Sequence, residues 1–138
     1  MTLSVADRLD ILDVITRADQ AASNRDADAY VRLFTQDAVL DGSQGRHAGR
    51  EALRAGVGTV WAAEGPATLH LTLNPVIEAA DSADDHRAIA RSVLLIIDPA
   101  APFTIRDVAA ITQTLIRRDG RWYISSRTVA SAATQARP

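Results

Sequence analysis

Apolar residues recur at two different spacings along the 138-residue chain. Before Gly65-Pro66 they follow one another every three or four positions, which is the period of a helix with one buried face. After this dipeptide they alternate with polar residues, which is the period of a half-buried strand. A block of helices followed by a run of strands is typical of an α+β protein.

The first half of the sequence predicts three helices and one short strand. We place the helices at residues 4–22, 26–35 and 49–62 and the strand at residues 38–41. Ser4 is the expected N-cap of the first helix, because Asp7 follows three residues later. Trp61 shares one face of the third helix with other apolar residues, so we expect it to be buried.

The second half predicts four strands, at residues 68–79, 87–97, 105–118 and 121–130. Asp119-Gly120 joins the last two strands as a hairpin turn. In the first of these strands the leucines alternate with His70, Thr72 and Asn74. His70 therefore lies on the face opposite the leucines, which places it either in a pocket or on the outer surface of the sheet.

Charge and composition exclude several classes of function. The formal net charge is −2 and the arginines are scattered, so nucleic acid is not an expected partner. Cysteine and lysine are both absent, which excludes thiolate and Schiff-base chemistry. No signal peptide opens the sequence and no apolar run approaches the ~18 residues of a membrane span, so we expect a cytoplasmic protein that does not bind membranes. The alanine-rich, lysine-free usage suggests a bacterial source.

The sequence contains no motif for a cofactor or a metal. Glycine patterns that bind nucleotides are absent, as is the GxSxG motif of serine hydrolases. The three histidines, at positions 47, 70 and 86, lack the close spacing of metal ligands. We therefore expect neither a cofactor nor a metal ion.

Three segments resemble SnoaL-like members of the nuclear transport factor 2-like superfamily, which includes ketosteroid isomerase, scytalone dehydratase and polyketide cyclases. The segments are NRDADAYVRLFTQDAVLDG followed by HAGREAL, then ATLHLTLNPVIE, and finally LIRRDGRWYISSR. The resemblance implies a cone-shaped α+β fold, in which about three N-terminal helices pack on a curved, mainly antiparallel sheet that encloses a pocket. It also implies one SnoaL-like domain over residues 1–138, with a core at about 5–130.

Similarity to scytalone dehydratase implies a catalytic pair formed by Asp41 and His70. In that enzyme an Asp follows a short apolar strand and a His lies in the next apolar strand after the third helix. A neutral His70 imidazole would take a proton from carbon next to a carbonyl, while the Asp41 carboxylate would fix its tautomer and stabilise the imidazolium. Asp41-Gly42 is also common turn chemistry, so a structural role for Asp41 stays open.

Seven further residues are predicted to bind substrate: Tyr30, Phe34, Trp61, Asn74, Thr112, Thr114 and Arg127. The three aromatic residues are bulky enough to form a pocket wall, and core packing is the alternative. Resemblance to ketosteroid isomerase implies that the two threonines face the pocket. Arg127 is a candidate clamp for a carboxylate or phosphate, with solvation of an edge strand or a dimer contact as the alternative.

Together these features predict a cofactor-independent lyase, isomerase or cyclase that acts by acid-base chemistry on a small hydrophobic polycyclic or aromatic compound. Two alternatives stay open, namely a non-catalytic protein that binds a small ligand and a dimerisation protein of the same fold. The outer sheet face of the superfamily commonly mediates dimers, so we expect a homodimer formed through sheet faces.

Overall fold

A computed structural model describes residues 2–82 and 85–132 of the chain. The remaining residues of the predicted domain, at positions 1, 83–84 and 133–138, lie outside the described residues. The elements in chain order are α1 (Val5–Ser23), α2 (Ala27–Val31), β1 (Phe34–Gly42), β2 (Gly45–Ala48), α3 (Arg50–Glu64), β3 (Leu69–Ala79), β4 (Arg87–Asp98), β5 (Thr104–Arg118) and β6 (Arg121–Ser131). Within the described part of the chain, no helix is long and apolar enough to cross a membrane.

The six strands form one mixed sheet in the order β2-β1-β6-β5-β4-β3. All neighbouring strands are antiparallel except β1 and β6, which are parallel. Extra residues interrupt the strand register between Leu73 and Val76 of β3, at Arg106 of β5 and at Ser125 of β6. Such bulges bend strands, so the sheet curves around the helices as the predicted cone-shaped fold requires.

Helix α1 begins with the predicted cap and is tied to the opposite end of the chain. The Asp7 amide donates to Ser4 Oγ at 3.0 Å, and the Ser4 amide donates back to the Asp7 carboxylate at 3.1 Å. The indole of Trp122 on β6 also donates to Asp7, at 3.0 Å. This indole bond, followed by the bonds from Ser4 and Arg117, lowers the pKa of Asp7 to about 2.

The inner face of the sheet forms the main core with the helices. Ile11 and Ile15 of α1, Leu53 and Val57 of α3, and Ile124 of β6 are at most 3% exposed. Trp61 is 5% exposed, which confirms its predicted burial. In a simple amphipathic strand the apolar face is buried. Strand β3 has the opposite orientation, because its leucines face outward and His70 faces the core.

Most predicted elements are confirmed, and the main differences lie between residues 31 and 48. Helix α2 ends at Val31 rather than at residue 35, and β1 begins at Phe34 rather than at residue 38. The short strand β2 was not predicted, because GRHA carries no apolar alternation. Its pairing with β1 extends the sheet on the far side from β3.

The outer face of β3, β4 and β5 carries a continuous apolar surface, which we call the outer patch. In the strand register, Leu71 lies beside Leu95, and Leu95 lies beside Val108. Leu73 lies beside Val93 in the next row. The patch is formed by Leu69, Leu71, Leu73, Val93, Leu95, Ile97, Ile105 and Val108, of which five are at least 36% exposed. Contiguous exposed apolar surface of this kind marks an interaction site in soluble proteins.

Candidate functional site

A cavity of about 250 Å³ lies between α3 and the inner face of the sheet. Much of its wall is apolar, and the side chains that form this part are Leu40, Val57, Val60, Trp61, Leu94, Ile96 and Val129. A few polar groups share the same wall, among them Tyr30, Glu64, His70 and Arg127. An apolar cavity with a small number of polar groups is the usual form of a small-molecule site.

The buried His70 and the half-buried Glu64 form a pair at this wall. The His70 Nε2 atom and a Glu64 carboxylate oxygen are 2.6 Å apart, and the two side chains are 6% and 13% exposed. The His70 amide donates to the Ser23 hydroxyl at 2.9 Å, which fixes the start of β3 to the end of α1. Gly65-Pro66 separates Glu64 from β3, so the end of the third helix and the start of the strand meet at the cavity.

The surroundings of Glu64 keep it anionic. Burial alone would raise the pKa of Glu64, but the hydrogen bond and charge of His70 and the bond from Thr68 outweigh it, so the pKa lies below its ordinary value. The Thr68 hydroxyl donates to Glu64 at 3.0 Å, and the Arg25 guanidinium lies 3.9 Å from the same oxygen. A carboxylate only accepts, so a neutral His70 carries its proton on Nε2. Its buried Nδ1 atom then presents a free lone pair, and Nδ1 has no partner within the described residues.

A second carboxylate, Asp19 of α1, lies close to this pair. It accepts hydrogen bonds from the Thr72 amide at 2.7 Å and from the Thr72 hydroxyl at 3.0 Å. Burial raises the pKa of Asp19, although the positive charge of Arg127 and the bonds from Thr72 oppose the shift. Asp19 and His70 also line a second, more open recess between α1 and β3.

Arg127 of β6 is held against an aromatic cluster on the cavity wall. Its guanidinium carbon lies 5.7 Å from the ring centroid of Tyr30, and the residue is only 3% exposed. Tyr30 packs edge-on against Trp61, with ring centroids 5.4 Å apart, and its ring is tilted by 39° against that of Phe34, 4.9 Å away. Tyr30, Trp61 and Arg127 line the cavity, so their binding of substrate stays a prediction, whereas the fully buried Phe34 packs behind Tyr30.

Asp41 does not lie close to His70 in the structure, so the prediction that these two residues form a pair is wrong. Asp41 is exposed and follows Leu40, whose side chain lines the cavity. Successive side chains of a strand point to opposite faces, so the Asp41 carboxylate lies on the outer face of the sheet. The carboxylate partner of His70 is Glu64 instead.

Three of the predicted substrate-binding residues also lie away from the cavity. Asn74 is exposed and has a φ of 54° at the register shift in β3, where its left-handed backbone serves the bulge. Thr112 is exposed and Thr114 is half-buried, and the residue between them, Gln113, points inward and is fully buried. The implied orientation of the two threonines is therefore reversed.

His47 enters the wall from β2 through a close contact with α3. A Cβ atom on Gly56 would lie 2.6 Å from the His47 ring, so only glycine leaves room for this imidazole. His47 is half-buried at the edge of the cavity. Within residues 2–82 and 85–132, no group of three or more acidic or histidine side chains is arranged to hold a metal ion.

Comparison with known proteins supports the fold and identifies the family. A model of the SnoaL-like domain matches residues 3–128. The chain belongs to this family. No curated protein matches this SnoaL-like chain.

Solved structures similar to this SnoaL-like domain share the same fold. A protein of unknown function with a cystatin-like fold from Nostoc punctiforme superposes with a TM-score of 0.88 at 22% identity, covering 97% of both chains. An NTF2-like protein from Novosphingobium aromaticivorans gives 0.80 at 22% identity, covering 96% of this chain and 86% of its own. A protein from Catenulispora acidiphila in complex with S-DNPA gives 0.80 at 19% identity, covering 94% and 96%.

Proposed function

We propose that this SnoaL-like domain is a cofactor-independent lyase, isomerase or cyclase in which His70 moves a proton on a small hydrophobic polycyclic or aromatic compound. The observation that carries the proposal is the 2.6 Å contact between His70 and Glu64 at the wall of an apolar cavity. A histidine oriented by a buried carboxylate is a common arrangement for general acid-base catalysis. The pair is enclosed, so its electrostatic interactions are stronger than they would be in water.

The proposed reaction begins with proton transfer from carbon to His70. The free Nδ1 lone pair takes a proton from carbon next to a carbonyl group, and the electron pair of the broken C–H bond moves into an enolate. Glu64 stabilises the imidazolium that forms, because it already accepts the Nε2 hydrogen. The imidazolium then returns the proton to a different carbon in an isomerisation, or to a departing hydroxyl group in a dehydration.

Tyr30 is the proposed donor to the enolate oxygen. It lines the same cavity, and burial raises the pKa of its phenol, so the hydroxyl remains protonated near neutral pH. A neutral donor aimed at a developing oxyanion lowers the barrier, and such donors are often the largest catalytic contribution. The apolar side of the wall, with Trp61 and Val57, would hold the hydrocarbon part of the substrate. Complex formation between the Catenulispora protein and S-DNPA supports a small organic molecule as ligand.

Deuterium exchange tests the proposal without knowledge of the natural substrate. We expect the wild-type protein to accelerate exchange at the acidic carbon of 2-tetralone or 1-indanone in D₂O, followed by proton NMR. Val60→Trp adds a large side chain to the cavity wall and should remove most of the acceleration. The matched control Val76→Trp adds the same side chain on the outer face, where Val76 is 58% exposed, and should leave exchange unchanged. Wild-type exchange no faster than the buffer rate for both ketones would reject acid-base catalysis and favour the ligand-binding alternative.

We also propose that the outer patch forms a homodimer. Its aliphatic side chains run across three neighbouring strands, and apolar faces of antiparallel sheets bury themselves against a partner. We expect light scattering to give about twice the chain mass of 14.8 kDa. Val93→Arg, in the middle of the patch, should give a monomer, whereas Val5→Arg on the exposed surface of α1 should not. A wild-type mass of one chain at every concentration would contradict the dimer.

A further inference from the structure

Arg127 is a buried cation whose guanidinium forms no direct ion pair within the described residues. The residue is 3% exposed and lines the cavity, and its Nη1 atom is buried without a hydrogen-bond acceptor within the described residues. Among the same residues, no carboxylate lies closer than 4.0 Å to the guanidinium, which stacks over the ring of Tyr30. Removing an arginine from water without such partners costs free energy, and an acceptor that binds the guanidinium recovers part of this cost.

The neighbours of Arg127 do not supply that acceptor. Asp19 is close enough for the charge of Arg127 to affect its pKa, but its oxygens accept from Thr72 and lie more than 4.0 Å from the guanidinium nitrogens. Gln113 is the cross-strand neighbour of Arg127 and is fully buried, yet its amide oxygen has no hydrogen-bond partner either. The guanidinium therefore remains available toward the cavity.

Arg25 shows how this chain satisfies a less buried arginine. Its guanidinium donates to the carbonyl oxygens of Ala22 and Gly65 and to the Thr68 hydroxyl, at 2.6–2.9 Å. It also lies 3.9 Å from Glu64. Arg127 is more deeply buried than Arg25, and within the described residues it has no carbonyl, hydroxyl or carboxylate partner. Arg25 therefore has a structural role, whereas Arg127 is free to bind a ligand.

The acids that line the cavity are already engaged. Glu64 accepts from His70 and Thr68, and Asp107 accepts from the Ser131 hydroxyl at 2.7 Å and from the Val108 amide at 2.9 Å. The remaining charged side chain of the wall, Arg106, is also basic. An anionic group that enters the cavity would meet a guanidinium that has no direct ion pair or hydrogen bond to these acids.

We propose that the ligand of this cavity is a small aromatic carboxylate, bound through its carboxylate group to the guanidinium of Arg127. Arginine presents parallel N–H groups that match the two oxygens of a carboxylate, and a desolvated pair of this kind is stronger than an exposed one. The ring of the ligand would then lie against the apolar wall formed by Val57, Val60 and Trp61. The inference rests on the proposed function and deepens it, because it names the substrate class of the same cavity.

A matched pair of ligands tests this inference by calorimetric titration. We expect wild-type protein to bind 2-naphthoate about 10- to 100-fold more tightly than the neutral isostere 2-naphthamide, which is the range for one charged hydrogen-bonded contact. Arg127→Met should remove this preference, because methionine keeps the length and apolar character of the side chain without its charge. Arg91→Met is the matched control, since Arg91 lies exposed on the outer side of β4, and it should keep the preference.

Further variants keep the inference open to refutation if Arg127→Met fails to fold. Arg127→Lys retains the charge but not the paired N–H groups, so it should bind 2-naphthoate more weakly than wild type while still preferring it to the amide. Equal affinities of wild type for acid and amide, binding of neither compound, or an unchanged preference in Arg127→Met would overturn the inference. If the protein prefers the acid but does not catalyse deuterium exchange, only the proposed acid-base catalysis is refuted. If it catalyses exchange but does not prefer the acid, only the proposed recognition of a carboxylate is refuted.

Discussion

His70→Gln should slow deuterium exchange by about 10²- to 10⁴-fold, which is the usual contribution of a general acid-base group. Glutamine keeps a polar side chain of similar size but cannot take a proton from carbon. Ligand affinity should change much less, so the loss should appear in kcat rather than in KM. Kinetic measurement of exchange at several concentrations of 2-tetralone separates these two constants.

Glu64→Gln should slow deuterium exchange by a comparable factor, for a different reason. The amide group of glutamine can donate to Nε2, which would move the His70 proton to Nδ1 and remove the free lone pair. The double variant should resemble the more damaged single variant, because the two residues act as one unit. Asp41→Asn is the control and should leave exchange unchanged, since Asp41 faces away from the cavity. Multiplicative losses in the double variant would show that His70 and Glu64 act independently.

Trp61→Ala should reduce the free energy of unfolding by about 3–5 kcal/mol, the usual cost of replacing a large buried aromatic side chain. Trp61 is 5% exposed and packs edge-on against Tyr30, so its removal enlarges the existing cavity and frees the ring that supports Arg127. Urea unfolding followed by circular dichroism measures the change.

The control for this prediction is Phe103→Ala, because Phe103 is an aromatic residue that is 62% exposed. Its replacement should change the stability by less than about 0.5 kcal/mol, as is usual for surface substitutions. A Trp61→Ala loss below about 1 kcal/mol would mean that the third helix does not pack as described.

Periodicity alone predicted most of the elements but not which face of a strand lies inside. In β3 the leucines form the more apolar face, yet they belong to the outer patch, and the inner face carries His70. Hydrophobicity identifies the buried face only when the opposite face meets water. The orientation of Thr112 was wrong because it came from a resemblance, and the burial of Ile111 and Gln113 shows the opposite alternation.

The sequence did hold a signal for the two carboxylates that the prediction missed. Glu64 follows Val57 and Trp61 at helical spacing, and Asp19 follows Ile15 by one turn. Each acid therefore occupies a position on the buried stripe of its helix, where a charge is rare without a partner. The sequence could not show that these helix positions face β3, because that contact depends on the curvature of the whole sheet.

The buried bond between Asp7 and Trp122 joins residues 115 positions apart. The capping box of helix α1 is local, but the further bonds to Asp7 from Arg117 and Trp122 need the hairpin of β5 and β6 to meet the helix. Contacts between such distant parts of a sequence must overcome a large loss of chain entropy before they stabilise anything, which slows folding. During synthesis, almost the whole domain would have to leave the ribosome before Asp7 of the first helix could bind Trp122.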